Sequence, residues 1–161
     1  VYYELFPDML LVDSNHGSLP YRRIKDAGIP MHLLKSYADI LGSPKGWSWH
    51  EDLIITTGDD QKIYVCHGRG NNVLKESQTE SMCWVSGHWH STFELKYWAN
   101  KRALYWGMSC GCLADQKAMA FEYAKNFRGK FIVGTGVVYN NQPRLLPMVQ
   151  DKHGRWTKKL V

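Results

Sequence analysis

The sequence predicts a mixed α/β fold, a β-sandwich flanked by helices, and three observations carry the prediction. Short apolar runs recur along the 161 residues, each bounded by Gly, Asn, Asp or Ser, as strands are. Several of these runs are joined in pairs by brief turn signals, so hairpins dominate the second half. A few longer stretches carry their apolar residues at helical rather than alternating spacing.

In chain order, residues 9–12 read as a short buried strand running into the polar turn Asp13-Ser14-Asn15-His16-Gly17. Residues 19–27 suit a brief helix stopped by Gly28. A second helix is expected from Pro30, a good first-turn residue, to Gly42, a good terminator, with His32, Leu33, Leu34, Tyr37, Ile40 and Leu41 at helical spacing. Residues 53–57 and 61–66 form a hairpin about Gly58-Asp59-Asp60. That turn explains the two aspartates better than metal ligation does. Residues 71–81 are weakly helical, and 82–85 are a further strand. Residues 93–98 and 103–108 pair about Asn100-Lys101. A helix is expected over 115–127, with Ala118, Phe121, Tyr123 and Ala124 on its apolar face. Residues 131–139 and 144–149 close a third hairpin about Asn140-Asn141. Gly134-Thr135-Gly136 lacks the Lys-Ser/Thr of a phosphate loop and reads as a glycine-relieved strand.

Composition narrows the function classes. The length fits one domain, residues 1–161 together, and 44% hydrophobic residues are enough to build a core. Charged residues make up 22%, too few for a disordered polyelectrolyte. Twenty Lys and Arg against fifteen Asp and Glu give +5, which permits an anionic partner without requiring one. The longest apolar run near the start, residues 9–12, is far short of the ~20 residues of a membrane span, and without a charged n-region followed by an apolar stretch no secretory signal is expected. The four cysteines form no disulfide framework and are expected as reduced, buried thiols. The setting expected from this is cytoplasmic, without a membrane partner. The first residue is Val1 rather than Met, as expected if the sequence begins inside a longer gene product or if the initiator was removed.

Chemistry concentrates in three loops that each follow a strand and each contain histidine: Ser14-Asn15-His16, Cys66-His67-Gly68 and Gly87-His88-Trp89-His90. Sheets hold such loops in register, and neutral imidazole ligates zinc, manganese or iron. His88 and His90 face the same way if that stretch is extended, which makes a chelating pair available. Trp89, between them, could wall the site or stack on a base, against the ordinary core or rim burial of Trp. Arg22 and Arg23 follow the Asn-His loop and suit phosphate contacts as well as they suit a solvated helix face. Lys152, Arg155, Lys158 and Lys159 make the C-terminus basic, as a nucleic-acid contact or a soluble tail.

Asn15-His16, then His67-Gly68, then Gly87-His88-Trp89-His90 resemble, in order and approximate spacing, the later motifs of the calcineurin-like metallophosphoesterases: G-N-H-[DE], a lone H beside a small residue, and G-H-x-H. Leu19-Pro20-Tyr21-Arg22-Arg23, Pro44-Lys45-Gly46-Trp47 and Ala99-Asn100-Lys101-Arg102 are similar to a phage-encoded branch of that family. The resemblance covers roughly residues 9–140. It implies a metal-dependent phosphoesterase, most simply a phage nuclease that hydrolyses phosphodiesters in DNA in the host cytoplasm. It implies that Asn15, His67 and His88 bind one divalent metal and His90 a second, with manganese the expected ion and zinc, iron(II) or magnesium as alternatives. His16 becomes the catalytic acid that protonates the leaving oxygen or steadies the phosphate. Arg22, Arg23 and Trp89 become substrate contacts.

The departures are as informative as the matches. The family's D-x-H and G-D-x-x-D carboxylates have no counterpart before Asn15; Asp8 and Asp13 fit neither pattern. Gly17 replaces the acidic residue that helps orient the family's histidine, and Ser14 replaces the usual glycine. Three readings follow: an N-terminal fragment or partner chain completes the site, the fold is degenerate and binds or inhibits a partner without catalysis, or a single-metal variant is active.

Overall fold

The computed structural model describes residues 2–114 and 130–160. The helix expected over 115–127 lies outside the described residues. The chain divides into two compact units, Val1–Leu53 and Ile54–Val161.

The first unit orders α1 (Tyr2–Leu5), β1 (Asp8–Val12), α2 (Leu19–Asp26), a 3₁₀ turn at Met31–Leu33, α3 (Tyr37–Leu41) and β2 (Gly46–His50). β1 and β2 pair in parallel, Asp8 opposite Gly46 and Val12 opposite His50. The Asp13 amide extends the ladder by donating to the His50 carbonyl at 2.8 Å. Aromatic rings tie the elements: Tyr3 meets Trp47 edge-on at 4.9 Å, and Tyr21 meets Tyr37 at 5.1 Å. The Trp47 indole donates to the Phe6 carbonyl at 2.6 Å.

One long helix over 30–42 was expected, and the structure interrupts it. Ser36 is extended (φ −64°, ψ 161°), and its hydroxyl accepts from the Asp39 amide while the Asp39 carboxylate accepts from the Ser36 amide. This reciprocal box starts a new helix at Tyr37 and outweighs the continuous apolar periodicity. β2 had no counterpart in the expected elements. Its Trp-Ser-Trp alternation has strand period, in a segment read only for its resemblance.

The second unit centres on a five-stranded mixed sheet ordered β3-β4-β5-β7-β6. Its strands are β3 (Asp52–Thr56, across which the division falls), β4 (Lys62–Cys66), β5 (Cys83–Ser86), β6 (Phe93–Ala99) and β7 (Leu104–Cys110). β4, β5 and β7 run parallel, and β6 closes antiparallel on β7. The connection from β4 to β5 is α4 (Val73–Glu80), started by Asn72, whose side-chain oxygen accepts from the Leu74 and Lys75 amides. The three-stranded antiparallel sheet β10-β9-β8 comprises β8 (Gly134–Tyr139), β9 (Gln142–Gln150) and β10 (Trp156–Leu160).

Strand alternation assigns the two faces of the central sheet. Tyr64, Cys66 and Trp84 pack with Val73 of α4 on one side. Ile63, Cys83, Trp106 and Met108 pack with Val138 of β8 and Leu145 of β9 on the other. The layers are therefore helix, sheet and sheet. Each large side chain so buried contributes about 1.5–3 kcal/mol. Glycine permits the closest approaches. A Cβ on Gly107 would lie 2.3 Å from the Val73 carbonyl oxygen, and one on Gly136 would lie 2.5 Å from the Cys110 sulfur.

The mixed α/β class is borne out, with strands predominating. All three expected hairpins form, the last through a two-residue Asn140-Asn141 turn with φ of 46° and 57°. The basic C-terminus is strand β10, paired with β9. Cys66 and Cys83 are buried, Cys110 and Cys112 partly so, and all four are free thiols.

Candidate metal centre

His67 directly follows β4 and His88 lies two residues past the end of β5, at the carboxyl ends of these adjacent parallel strands. Open α/β sheets build ligand sites at such ends, because the ladder holds neighbouring loops at fixed separation. Here the Gly87 amide donates to the His67 carbonyl at 2.9 Å and carries that separation into the loops. The imidazoles consequently meet: His88 Nδ1 lies 3.0 Å from His67 Nε2, with ring centroids 4.8 Å apart.

The backbone at this point is under strain. His88 has φ of 67°, and the Trp89 amide donates to the Gly87 carbonyl at 2.7 Å, which makes His88 the centre of a γ-turn. A non-glycine residue in this region costs on the order of 1–3 kcal/mol and persists where its surroundings over-determine it. Those surroundings are on both sides of the loop. The Thr92 amide donates to the Trp89 carbonyl, and the Ile132 amide to the His90 carbonyl, both at 2.8 Å. Gly68 is required beneath, since at its φ of 145° a Cβ would sit 2.8 Å from that of His88.

The local extension that would aim His88 and His90 the same way is absent. The turn at His88 gives it His67 as its neighbour, while the His90 ring packs edge-on against Phe131 at 4.6 Å. Trp89 stands at the rim, 38% exposed, its ring edge-on to His88 and its indole donating to the Gly70 carbonyl at 3.0 Å. Arg69 was not singled out by the sequence. Its guanidinium lies 5.1 Å from the Tyr64 ring centroid and hydrogen-bonds the Tyr64 hydroxyl, and Tyr64 in turn stacks on Trp84 at 4.9 Å.

The remaining named residues belong to the first unit. Asn15 and His16 are exposed in the loop after β1. The Ser14 hydroxyl accepts from the Gly17 amide at 2.8 Å, and Arg22 donates to the Asn15 carbonyl at 2.9 Å. Arg22 thus braces the loop, and Arg23 is exposed on α2. Gly17, where the resemblance expects an acid, is hemmed in. A Cβ there would lie 3.1 Å from the Ser14 hydroxyl and 3.2 Å from the Tyr37 hydroxyl. Partial desolvation, with Tyr21 and Asp13 nearby, pushes the Tyr37 phenol above its usual range. His50 was also missed. It ends β2, opposite Val12 of β1, with Nε2 2.7 Å from the Ser48 hydroxyl. A histidine closing a strand was the signal already used for the other loops, and it was available here too.

Two imidazole nitrogens each ~2.1 Å from one ion at a right angle are ~3.0 Å apart, so the His67–His88 spacing fits two adjacent positions of a metal's coordination sphere. The proton in their mutual hydrogen bond must leave before both nitrogens can face a metal. Among the described residues, no group of three or more His, Cys, Asp or Glu converges as a metal site. No helix among them is long and apolar enough to cross a membrane. No protein-family model, curated protein or solved structure matches the chain.

Proposed function

We propose that this chain is a metal-dependent phosphoesterase of metallophosphoesterase type, hydrolysing phosphodiesters and most simply acting as a phage nuclease on DNA. The observation that carries the proposal is the 3.0 Å approach of His67 Nε2 and His88 Nδ1 at the carboxyl ends of two parallel strands. Strain at His88 supports it, because residues held in costly conformations gather at working sites.

In this reading, His67 and His88 hold the first divalent ion, manganese by preference, and His90 serves a second. The family's carboxylate ligands would come from an N-terminal fragment or partner chain. Such an ion supplies Lewis acidity toward a phosphoryl oxygen and lowers the pKa of water. The chain's own contribution is positional. The γ-turn and Gly68 hold His88 against His67, and Trp89, pinned to Gly70, screens one side of the pair and offers a face to the substrate. By the resemblance alone, a metal contact is proposed for Asn15, acid catalysis for His16 and phosphate contacts for Arg22 and Arg23, all of the Val1–Leu53 unit.

A second reading is a degenerate fold that binds or inhibits a partner, in keeping with the absence, among the described residues, of a third His, Cys, Asp or Glu converging on the pair. Calorimetric titration with manganese, followed by hydrolysis of bis(p-nitrophenyl) phosphate, separates the two. The phosphoesterase reading expects saturable binding that weakens at least tenfold in His67→Ala and in His88→Ala, with hydrolysis lost in both, ligand substitutions being at least as damaging as changes to a ligand's own supports. Metal binding without turnover supports the degenerate reading. Activity that survives both substitutions would sink the proposed centre.

A further inference from the structure

The basic C-terminus is a folded ribbon, and its shape adds what composition could not. β10 runs antiparallel to β9, and the turn between them is closed by Asp151. The Asp151 carboxylate accepts from the His153 and Arg155 amides at 2.8 and 2.9 Å, so it is engaged in shaping the turn. Gly154, with φ of 78°, completes it, and the Gln150 side chain donates to the Gly154 carbonyl at 3.0 Å. Lys152, Arg155, Lys158 and Lys159 are all exposed along this ribbon.

A bulge lies in the middle of β10. Trp156 pairs with Gln150 and Leu160 with Met148, so β10 carries extra residues between its anchor points, and Lys158 sits there at φ of 66°. Within the bulge, the Trp156 indole donates to the Lys159 carbonyl at 3.1 Å while the residue stays 50% exposed. The ring is thus held by its N–H with half its surface open, among lysines. Aromatic faces fixed within a positive track are how sequence-tolerant single-strand binders hold bases and backbone together.

We propose that the β9–β10 ribbon binds single-stranded nucleic acid, with Trp156 stacking on a base and Lys152, Arg155, Lys158 and Lys159 on the flanking phosphates. The choice of partner rests on the phosphodiester reading above, but the binding itself needs no metal.

The test is fluorescence anisotropy of a fluorescein-labelled oligothymidylate with the full chain in EDTA at low salt. Trp156→Ala is expected to weaken binding about tenfold or more, as loss of one stacked base does, and Trp156→Phe to retain most of it. Lys158→Gln with Lys159→Gln is expected to lower the slope of log affinity against log salt by about 0.7 for each phosphate that the chain no longer neutralises. Thermal unfolding of each variant shows that it is folded. Unchanged oligonucleotide binding by Trp156→Ala would overturn the proposal. So would binding to phosphatidylserine vesicles but not to oligothymidylate, which would make the ribbon a membrane contact. Oligonucleotide binding by a chain that hydrolyses no phosphodiester supports the ribbon and counts against the catalytic reading alone.

Discussion

In Ile54–Val161, Trp84 and Cys83 are fully shielded from solvent and Trp106 and Met108 almost so; in Val1–Leu53, no described side chain is buried. Both units contain parallel strands, and parallel strands are ordinarily covered on both faces. The second unit meets that condition, with α4 over one face of its sheet and β8–β9 over the other. The first is a two-stranded parallel pair, and it leaves Leu5, Phe6, Leu10, Leu33, Ile40 and Leu41 roughly half exposed or more. It is held instead by ring-edge contacts, the Ser36–Asp39 box and a few side-chain bonds to carbonyls. Stability should therefore be uneven along the chain, and the imidazole pair lies in the unit that has a core of its own.

The largest effects test that contrast directly. Trp84→Ala removes a fully buried ring stacked on Tyr64 and is expected to cost about 3–5 kcal/mol by urea denaturation. Trp47→Ala, in the unit without a core, is expected to cost about 1 kcal/mol. Equal losses would break the comparison.

Gly107→Ala comes next. Its Cβ would press on the Val73 carbonyl and force α4 away from the sheet, at about 1–3 kcal/mol. Unfolding that leaves the midpoint unchanged would mean that α4 is not tightly seated.

Cys110 gives a pH-dependent effect. Burial pushes its thiol from the ordinary 9.0 up to about 11. An acid raised on folding favours the protonated state, so its contribution to stability is complete below pH 9 and is lost as pH rises toward 11. The urea midpoint should fall across that window, and native Cys110 should resist iodoacetamide at pH 8. Rapid labelling of Cys110 in the folded chain would contradict its burial.

The smallest expected change is at His88. His88→Gly removes the imidazole but also relieves the φ of 67°, so stability should stay within about 1 kcal/mol while manganese uptake is lost. A large loss of stability would mean that His88 is held for packing rather than for ligation.

Much of the fold was legible because its signals are local. Asn140-Asn141 and Gly58-Asp59-Asp60 carry the turn chemistry of their hairpins, and β4 shows its two faces in the alternation of Ile63, Tyr64, Val65 and Cys66. Local signals also account for the misses. Ser36 carried a helix start inside an apolar repeat, and Trp47-Ser48-Trp49 carried a strand period in a segment read for its resemblance. β10 was read by its charge, and charge does not reveal whether a segment pairs with a neighbour.

The sequence by itself determined the mixed α/β class, the turns and the presence of histidines at strand ends, since all of these depend on residues a few positions apart. Only the tertiary structure decided which histidines meet. His67 and His88 are separated by α4, and they come together because β4 and β5 are parallel neighbours and the loops leave the sheet side by side. The turn that swings His88 toward His67 rather than into register with His90 is set by hydrogen bonds to Gly87, Trp89 and Ile132. The bonds from Ile132 to His90 and from Gly87 to His67 are long-range in the chain, and no periodicity or spacing in the sequence encodes them.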